Sequence, residues 1–235
     1  MPNSWFQFKQ FKISHDLCAH KVGTDGVLLG AWAKHSAPAK ILDIGSGSGL
    51  ISLMLAQRYP DAQIIAIEIH ESSFKQGKEN FAASPFSERI TALQGDFLSF
   101  PFQDTFDLIV SNPPFFKGVH SSGREERDQA RHERALSHRL LMEKAKDLLN
   151  PQGIISLILP TEESSELISM VHQYGLSLTE CVKVFGNPSA SGKRRLLTFA
   201  VSAKLPKEEV LILRDDQNQW SEDYKSLTRD FYLNF

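Results

Sequence analysis

Cysteine is almost missing: Cys18 and Cys181 are the two in 235 residues. They stand alone, which excludes a disulfide framework and a cysteine-built zinc site and fits a reducing compartment. No apolar run approaches the ~20 residues that a membrane-spanning helix needs. The opening Met1-Pro2-Asn3-Ser4-Trp5 has no basic stretch leading into an apolar one, so neither a membrane span nor a secretory leader is expected. The expected location is the cytoplasm. An excess of one charge is lacking too, since 26 Lys and Arg against 28 Asp and Glu leave a formal net charge of −2. That argues against broad non-specific binding to nucleic acid and says little about a small charged site. Repeats and low-complexity tracts are absent. No metal is expected: in His70-Glu71-Ser72-Ser73-Phe74 a phenylalanine stands where a second zinc-binding histidine would be needed.

What is present, 41% hydrophobic and 23% charged residues, suits one soluble α/β domain spanning 1–235 and is short for two. We expect a core over 39–203, an N-terminal extension over 1–38 and a C-terminal tail over 204–235, with a monomer favoured. Charge is uneven along it. Residues 1–40 hold five lysines against two aspartates, and 204–235 hold seven acids against five bases.

Phe6 to Ile13 alternates apolar and polar residues like one half-exposed strand. The polar stretch His15 to Gly26 follows, and Val27 to Ala33 reads as a short helix with Thr24 or Asp25 as its N-cap. Capping and ligand contact are equally open for Asp25. The run Ala39 to Ile44 is a strand containing Asp43, and Gly45-Ser46-Gly47-Ser48-Gly49 leads into an apolar helix from Leu50 to Tyr59. A glycine-rich turn between strand and helix lets backbone approach a ligand closely. The dinucleotide fingerprint wants glycine at position 50, where Leu50 stands, which argues against NAD.

Three further strands end in polar groups. Gln63 to Ile67 ends at Glu68, where an acid can accept both hydrogen bonds of a ribose diol. Arg89 to Gln94 ends at Gly95-Asp96-Phe97, where an acid can accept from an adenine amino group. Phe106 to Val110 ends at Ser111-Asn112-Pro113-Pro114-Phe115-Phe116. Each of Asp43, Glu68 and Asp96 alone is equally an ordinary acid at a strand end. With the glycine loop they form one constellation on the rim where open α/β sheets bind ligands. In the last motif two prolines fix φ and remove two backbone donors, so a stiff frame offers the Asn112 side-chain oxygen and a backbone carbonyl beside aromatic rings. That suits a planar group carrying an amino function.

Residues 117–139 hold six basic against four acidic side chains and read as a solvated stretch. A helix over Ala135 to Leu149 is stopped by Asn150-Pro151-Gln152-Gly153, a fifth strand runs from Ile154 to Leu159, and Pro160-Thr161-Glu162-Glu163 opens another helix. Leu178 to Phe185 and Arg195 to Ser202 read as an antiparallel pair at one sheet edge. Lys193, Arg194 and Arg195 form a purely basic cluster, open equally to a phosphate contact and to a loop tip.

The pattern Asp-x-Gly-x-Gly-x-Gly over Asp43 to Gly49 resembles the first motif of class I S-adenosyl-L-methionine-dependent methyltransferases. The Phe8 to Phe11, Lys21 to Trp32, Ser111 to Phe116, Ala130-Arg131-His132 and Asp230 to Leu233 stretches resemble, more narrowly, the bacterial methyltransferases that modify N6 of adenosine 37 in a valine tRNA. The resemblance implies a Rossmann-like fold, with a seven-stranded, mostly parallel sheet, an antiparallel edge strand and helices on both faces. It implies S-adenosyl-L-methionine as cofactor and tRNA as partner. Asn112 and Pro113 would then contact the target amino group, with Phe115 stacked on the base and Pro114, Arg131, Lys193, Arg194 and Arg195 toward the substrate. Gly45, Gly47, Gly49, Asp43, Glu68, Asp96 and Phe97 would hold the cofactor, and Lys21, Thr24 and Asp25 would close over it from the N-terminal extension. Methyltransferases acting on guanine N2 of ribosomal RNA or on a protein glutamine amide present the same kind of group to the same motif and stay open, as does a catalytically silent RNA-binding module.

Overall fold

The β-branched runs line up as one sheet. In the computed structural model, which describes residues 4–18, 21–113, 138–202 and 205–234, the chain opens with a hairpin of β1 (Trp5–Gln7) and β2 (Lys12–Ser14). The single strand expected over Phe6 to Ile13 is therefore two. Phe8 and Phe11 are both buried, which alternation along one strand forbids for residues three apart, so the chain turns at Lys9-Gln10. The Phe8 amide donates to the Phe11 carbonyl at 2.9 Å, and Gln7 Nε2 donates to the carbonyls of both phenylalanines.

Helix α1 (Thr24–Trp32) leads to β3 (Lys40–Ile44), α2 (Leu50–Arg58), β4 (Gln63–Glu68), α3 (Glu71–Ala82), β5 (Ile90–Gln94) and β6 (Phe106–Ser111). A helix α4 covers the described residues 138–147. Then come β7 (Leu149–Pro160), α5 (Thr161–Met170), β8 (Ser177–Phe185), β9 (Arg194–Ala200), β10 (Lys207–Ile212) and α6 (Glu222–Thr228).

The main sheet has eight strands in the order β10-β8-β9-β7-β6-β3-β4-β5. Strands β3 to β7 are parallel, β9 runs antiparallel to both β7 and β8, and β10 pairs parallel to β8. Two expectations are corrected. The sheet has one strand more than seven, and its antiparallel strand is interior. The added strand comes from the stretch expected to be a tail: β10 seats Leu211 while Lys207, Glu208 and Glu209 face solvent, a charged rim that discourages further strand addition. The Asn150-Pro151-Gln152-Gly153 stop does end α4, but β7 begins at once and carries those residues, with an irregularity opposite Phe106 and Leu108. A Cβ on Gly153 would lie 2.7 Å from the Phe106 carbonyl, so glycine lets the two strands meet.

Helices cover both faces, each with its own apolar cluster. One packs α1, α2 and Phe81 with Phe8, Tyr224 and Phe231 from the chain ends; the other packs Met142, Ala145, Leu167 and Phe97. Helix α1 lies close on α2 because Cβ atoms on Gly26 and Gly30 would meet Leu50 at 3.1 Å and Met54 at 2.7 Å. The helix ends are held by cations that complement the C-terminal dipole. Arg58 donates to the Gly30 and Ala33 carbonyls at the end of α1, and Arg89 to the Ala56, Tyr59 and Ala62 carbonyls at the end of α2. The motifs near both termini meet: the Tyr232 ring stacks on Phe8 at 5.8 Å, and the Lys9 amide donates to the Phe231 carbonyl at 2.8 Å.

Candidate active site

Register puts the polar strand ends side by side. Ile44 pairs with Ile67 on one side and Ser111 on the other, and Glu68 pairs with Gln94. Gly45, Glu68, Gly95 and Asn112 therefore leave the sheet at one rim. Ser111 Oγ donates to the Ile44 carbonyl at 2.9 Å, fixing the start of the proline loop against the start of the glycine loop.

Gly45, Gly47 and Gly49 have φ of 70°, 56° and 83°, left-handed values that favour glycine. Their surroundings divide them. A Cβ on Gly45 or Gly47 would enter open space, whereas one on Gly49 would lie 2.2 Å from the Phe81 ring. Gly45 and Gly47 thus leave a cradle, and Gly49 is a packing glycine. The Gly45 and Ser46 amides are taken by the Ile67 carbonyl at 2.9 and 3.1 Å.

Glu68 is 6% exposed and ties the rim together. Its Oε2 accepts from the Gly47 amide at 2.9 Å and its Oε1 from the His70 amide at 2.8 Å. Beside it Ile69 is 56% exposed, and Leu98 beyond Asp96 is 40% exposed. These two apolar side chains at neighbouring strand ends suit the flat face of a base. They were not singled out from the sequence, although an exposed aliphatic directly after a strand-ending acid was a signal for Ile69.

Asp43 is fully buried, and its Oδ1 has no hydrogen-bond partner among the described residues. Its Oδ2 accepts from the Ser52 amide at 3.1 Å and from Ser52 Oγ at 2.6 Å. Burial pushes its pKa up to about 7 against the pull of those two bonds. It supports the first turn of α2 beneath the glycine loop.

Asp96 is exposed and caps the turn after β5, with Oδ1 accepting from the Leu98 amide at 2.9 Å. Phe97 is buried against Phe102 and anchors that turn in the core. Lys144 of α4 completes the support: its Nζ donates to the Leu98 and Phe100 carbonyls at 2.8 and 2.7 Å and lies over the Phe97 and Phe102 rings. Nothing local in the sequence marked Lys144, because its partners lie more than forty residues away.

Asn112 follows β6. Its Oδ1 is buried and has no hydrogen-bond partner among the described residues, a costly state for an amide acceptor unless something arrives to donate to it. Pro113 is half-buried beside it. Pro114, Phe115 and Arg131 lie outside the described residues.

Lys21 and Thr24 are exposed ahead of and in the first turn of α1. The helix is capped at Gly23 without a side-chain bond, so neither Thr24 nor Asp25 is the cap. Asp25 pairs with Arg194, Nε to Oδ2 at 2.8 Å. The basic cluster does not form one surface. Strand alternation sends Arg194 to α1 and Arg195 to the opposite sheet face, where it donates to Ser165 Oγ of α5 at 3.0 Å. Lys193 is exposed at the strand start.

Two left-handed glycines with room above them, a backbone-anchored acid, flanking apolar side chains and an orphaned amide oxygen fit an adenosine-containing methyl donor next to an amino acceptor. Among the described residues no group of three or more His, Cys, Asp or Glu side chains could hold a metal, and no helix is long and apolar enough to cross a membrane.

Comparison with known proteins agrees with that geometry. Residues 21–175 match the methyltransferase small domain family. The tRNA1(Val) (adenine(37)-N6)-methyltransferase of Bacteroides thetaiotaomicron is 44% identical over 99% of each chain, that of Phocaeicola vulgatus 42% identical over the whole of both, and that of Actinobacillus pleuropneumoniae serotype 7 43% identical over 97% of each. Among solved structures, a predicted O-methyltransferase from Agrobacterium tumefaciens superposes with a TM-score of 0.63 at 16% identity, over 88% of this chain and 96% of that one. A glycopeptide N-methyltransferase bound to S-adenosyl-L-methionine gives 0.53 at 13% identity, over 78% and 90%; both likenesses concern the fold. The chain belongs to the methyltransferase small domain family, in the branch of these full-length relatives, and is an S-adenosyl-L-methionine-dependent methyltransferase of the class I Rossmann-like fold.

Proposed function

We propose that the protein methylates N6 of adenosine 37 in the anticodon loop of a valine tRNA. The observation that carries the acceptor side is the buried Oδ1 of Asn112 at the sheet rim, which has no partner among the described residues; relatives of 40–44% identity over nearly the whole chain carry that activity in their names. The cofactor, when bound, supplies an electrophilic methyl group on a sulfonium. Gly45 and Gly47 leave the space for it, Glu68 offers carboxylate lone pairs toward a ribose, and Ile69 and Leu98 flank a base. Asn112 Oδ1 and the Pro113 carbonyl each accept one hydrogen of the exocyclic amine, which lets the nitrogen pyramidalise and aim its lone pair. Each such bond nets about 1 kcal/mol, whereas orientation is worth on the order of 7 to 11 kcal/mol, so their effect on rate is mainly geometric. The target base has to leave its stack, at a cost of a few kcal/mol, and Phe115 is our choice for the ring that receives it. An RNA substrate and two free thiols together favour the cytoplasm as the place of action.

The test is nucleoside mass spectrometry of tRNA from a strain lacking the protein. Loss of N6-methyladenosine at the anticodon-loop position, restored by the wild-type chain and not by Asn112→Ala, supports the assignment. An unchanged tRNA profile overturns it and directs attention to ribosomal RNA.

A further inference from the structure

Helix α3 buries a polar stripe. Ser73, Gln76 and Asn80 are 7%, 3% and 4% exposed, and their spacing of three and four residues puts them on one helix face. Gly77 belongs to the same face: a Cβ there would lie 2.9 Å from the Gly47 carbonyl oxygen, so α3 rests directly on the glycine loop. The next residue after Asn80 is Phe81, whose ring occupies the space beside Gly49.

Two side chains of the stripe, Asn80 and Gln76, hold residues 14–17 by hydrogen bonds. Asn80 Oδ1 accepts from the Ser14 amide at 2.9 Å, and its Nδ2 donates to the Ser14 carbonyl and the Ser48 carbonyl, both at 2.8 Å. Gln76 Oε1 accepts from the Leu17 amide at 3.1 Å. Ser73 faces the Cys18 thiol, and its hydroxyl works against the burial that pushes that thiol's pKa up. One amide thus joins three strands of backbone logic: the N-terminal segment, the glycine loop and α3. A buried stripe of this kind is costly unless every group is satisfied, and it gains directional hold that an apolar contact lacks.

We infer that Asn80, with Gln76, is a positioning residue for the methyl donor. The Asn80 amide fixes the Ser48 carbonyl between the open glycine at 47 and the packed one at 49, and so sets the loop in its binding shape before the donor arrives. Gln76 and Asn80 also hold Ser14 and Leu17 against the same helix, in the segment that leads to α1. Preorganisation of this kind appears in affinity for the donor, because loop ordering no longer opposes binding. The inference rests on the reading of Gly45 and Gly47 as the donor cradle, and not on which RNA is methylated.

The test uses the full chain and S-adenosyl-L-homocysteine as the binding probe, measured by calorimetry, alongside steady-state kinetics with tRNA. Asn80→Asp keeps the acceptor for the Ser14 amide and sets carboxylate oxygen against the Ser14 and Ser48 carbonyls. It is expected to raise the probe Kd and the donor KM roughly tenfold or more, with the tRNA KM unchanged and kcat at saturating donor within about twofold. Gln76→Ala removes one bond and shifts the same two constants in the same direction by a smaller factor. Tyr224→Phe serves as the control for general loosening: it removes the Tyr224–Tyr232 hydroxyl contact, lowers the melting temperature and leaves the probe Kd alone. A donor KM and probe Kd that stay at the wild-type values in folded Asn80→Asp overturn the inference, as does a Kd that rises equally in Tyr224→Phe. If Asn80→Asp does not fold, Gln76→Ala decides by the same two constants. Wild-type protein that binds the probe but methylates no tRNA sinks the substrate assignment and leaves this comparison decisive; wild-type protein that does not bind the probe overturns both.

Discussion

Arg194 Nε donates to Asp25 Oδ2 at 2.8 Å across 169 residues of sequence. Asp25 stands in the first turn of α1 and Arg194 at the start of β9, so the pair pins the N-terminal helix to the interior antiparallel strand. If Asp25 faces the donor, Arg194 aims it. Arg194→Met and Asp25→Asn are then expected to raise the donor KM, with the double variant close to the worse single one rather than their product. Strictly multiplicative effects in that double-mutant cycle would show that the two side chains act independently.

Asn112→Ala removes the orphaned acceptor and nothing that the donor side uses. Turnover is expected to fall by two or more orders of magnitude while the Kd for S-adenosyl-L-homocysteine stays within about twofold, since orientation and not binding is lost. Turnover close to wild type would remove Asn112 from the chemistry.

Two glycines of one loop are expected to fail differently. Gly49→Ala forces a methyl group onto the Phe81 ring, 2.2 Å away, at φ 83°, and is expected to cost stability on the order of 2 to 4 kcal/mol through strain and overpacking. Gly47→Ala has open space at φ 56°, so the cost to stability is about 1 to 2 kcal/mol while the methyl group enters the donor cradle. Denaturation curves should rank Gly49→Ala as the less stable, and donor KM should single out Gly47→Ala.

Asp43 makes stability depend on pH with a defined sign. Burial raises its pKa from an ordinary carboxylate value of 3.8 to about 7. Between those values the folded chain keeps a proton that the unfolded chain has released. The contribution is whole below pH 4 and drains away as pH rises to about 7, at no more than ~1.4 kcal/mol per unit. Against that background Asp43→Asn is expected to flatten the melting temperature between pH 5 and pH 7. A wild-type slope that survives in the variant would place the titration elsewhere.

Much of the site was legible without coordinates because its parts sit at strand ends, and a strand followed by a glycine run, an acid or Asn-Pro announces itself locally. Asp43 shows the limit: an acid near a strand end, like Glu68, it gives one carboxylate oxygen to Ser52, while Glu68 reaches across to the Gly47 amide. Side-chain direction at a strand end depends on pleat phase and on what packs opposite, and neither is local. The basic run Lys193 to Arg195 does not form one surface for a related reason, since adjacent residues entering a strand face opposite ways. The segment 204–235 was read as a tail although it holds the apolar run Val210-Leu211-Ile212-Leu213, because four apolar residues behind Lys207-Glu208-Glu209 do not by themselves show that they pair with a sheet edge.

Composition, the strand-ending motifs and the family-specific stretches determined by themselves that this is a class I methyltransferase with an amino-group acceptor, because those features are written in consecutive residues. Only the tertiary structure decided that Gly45 and Gly47 are open while Gly49 is packed, that Arg194 answers Asp25, that the antiparallel strand is interior, and that Gln76 and Asn80 join the N-terminal segment to the glycine loop. Each of those is a contact between residues far apart in the chain, set by the register of the sheet and by how closely the helices approach it, and burial then fixes which polar groups have to find one another.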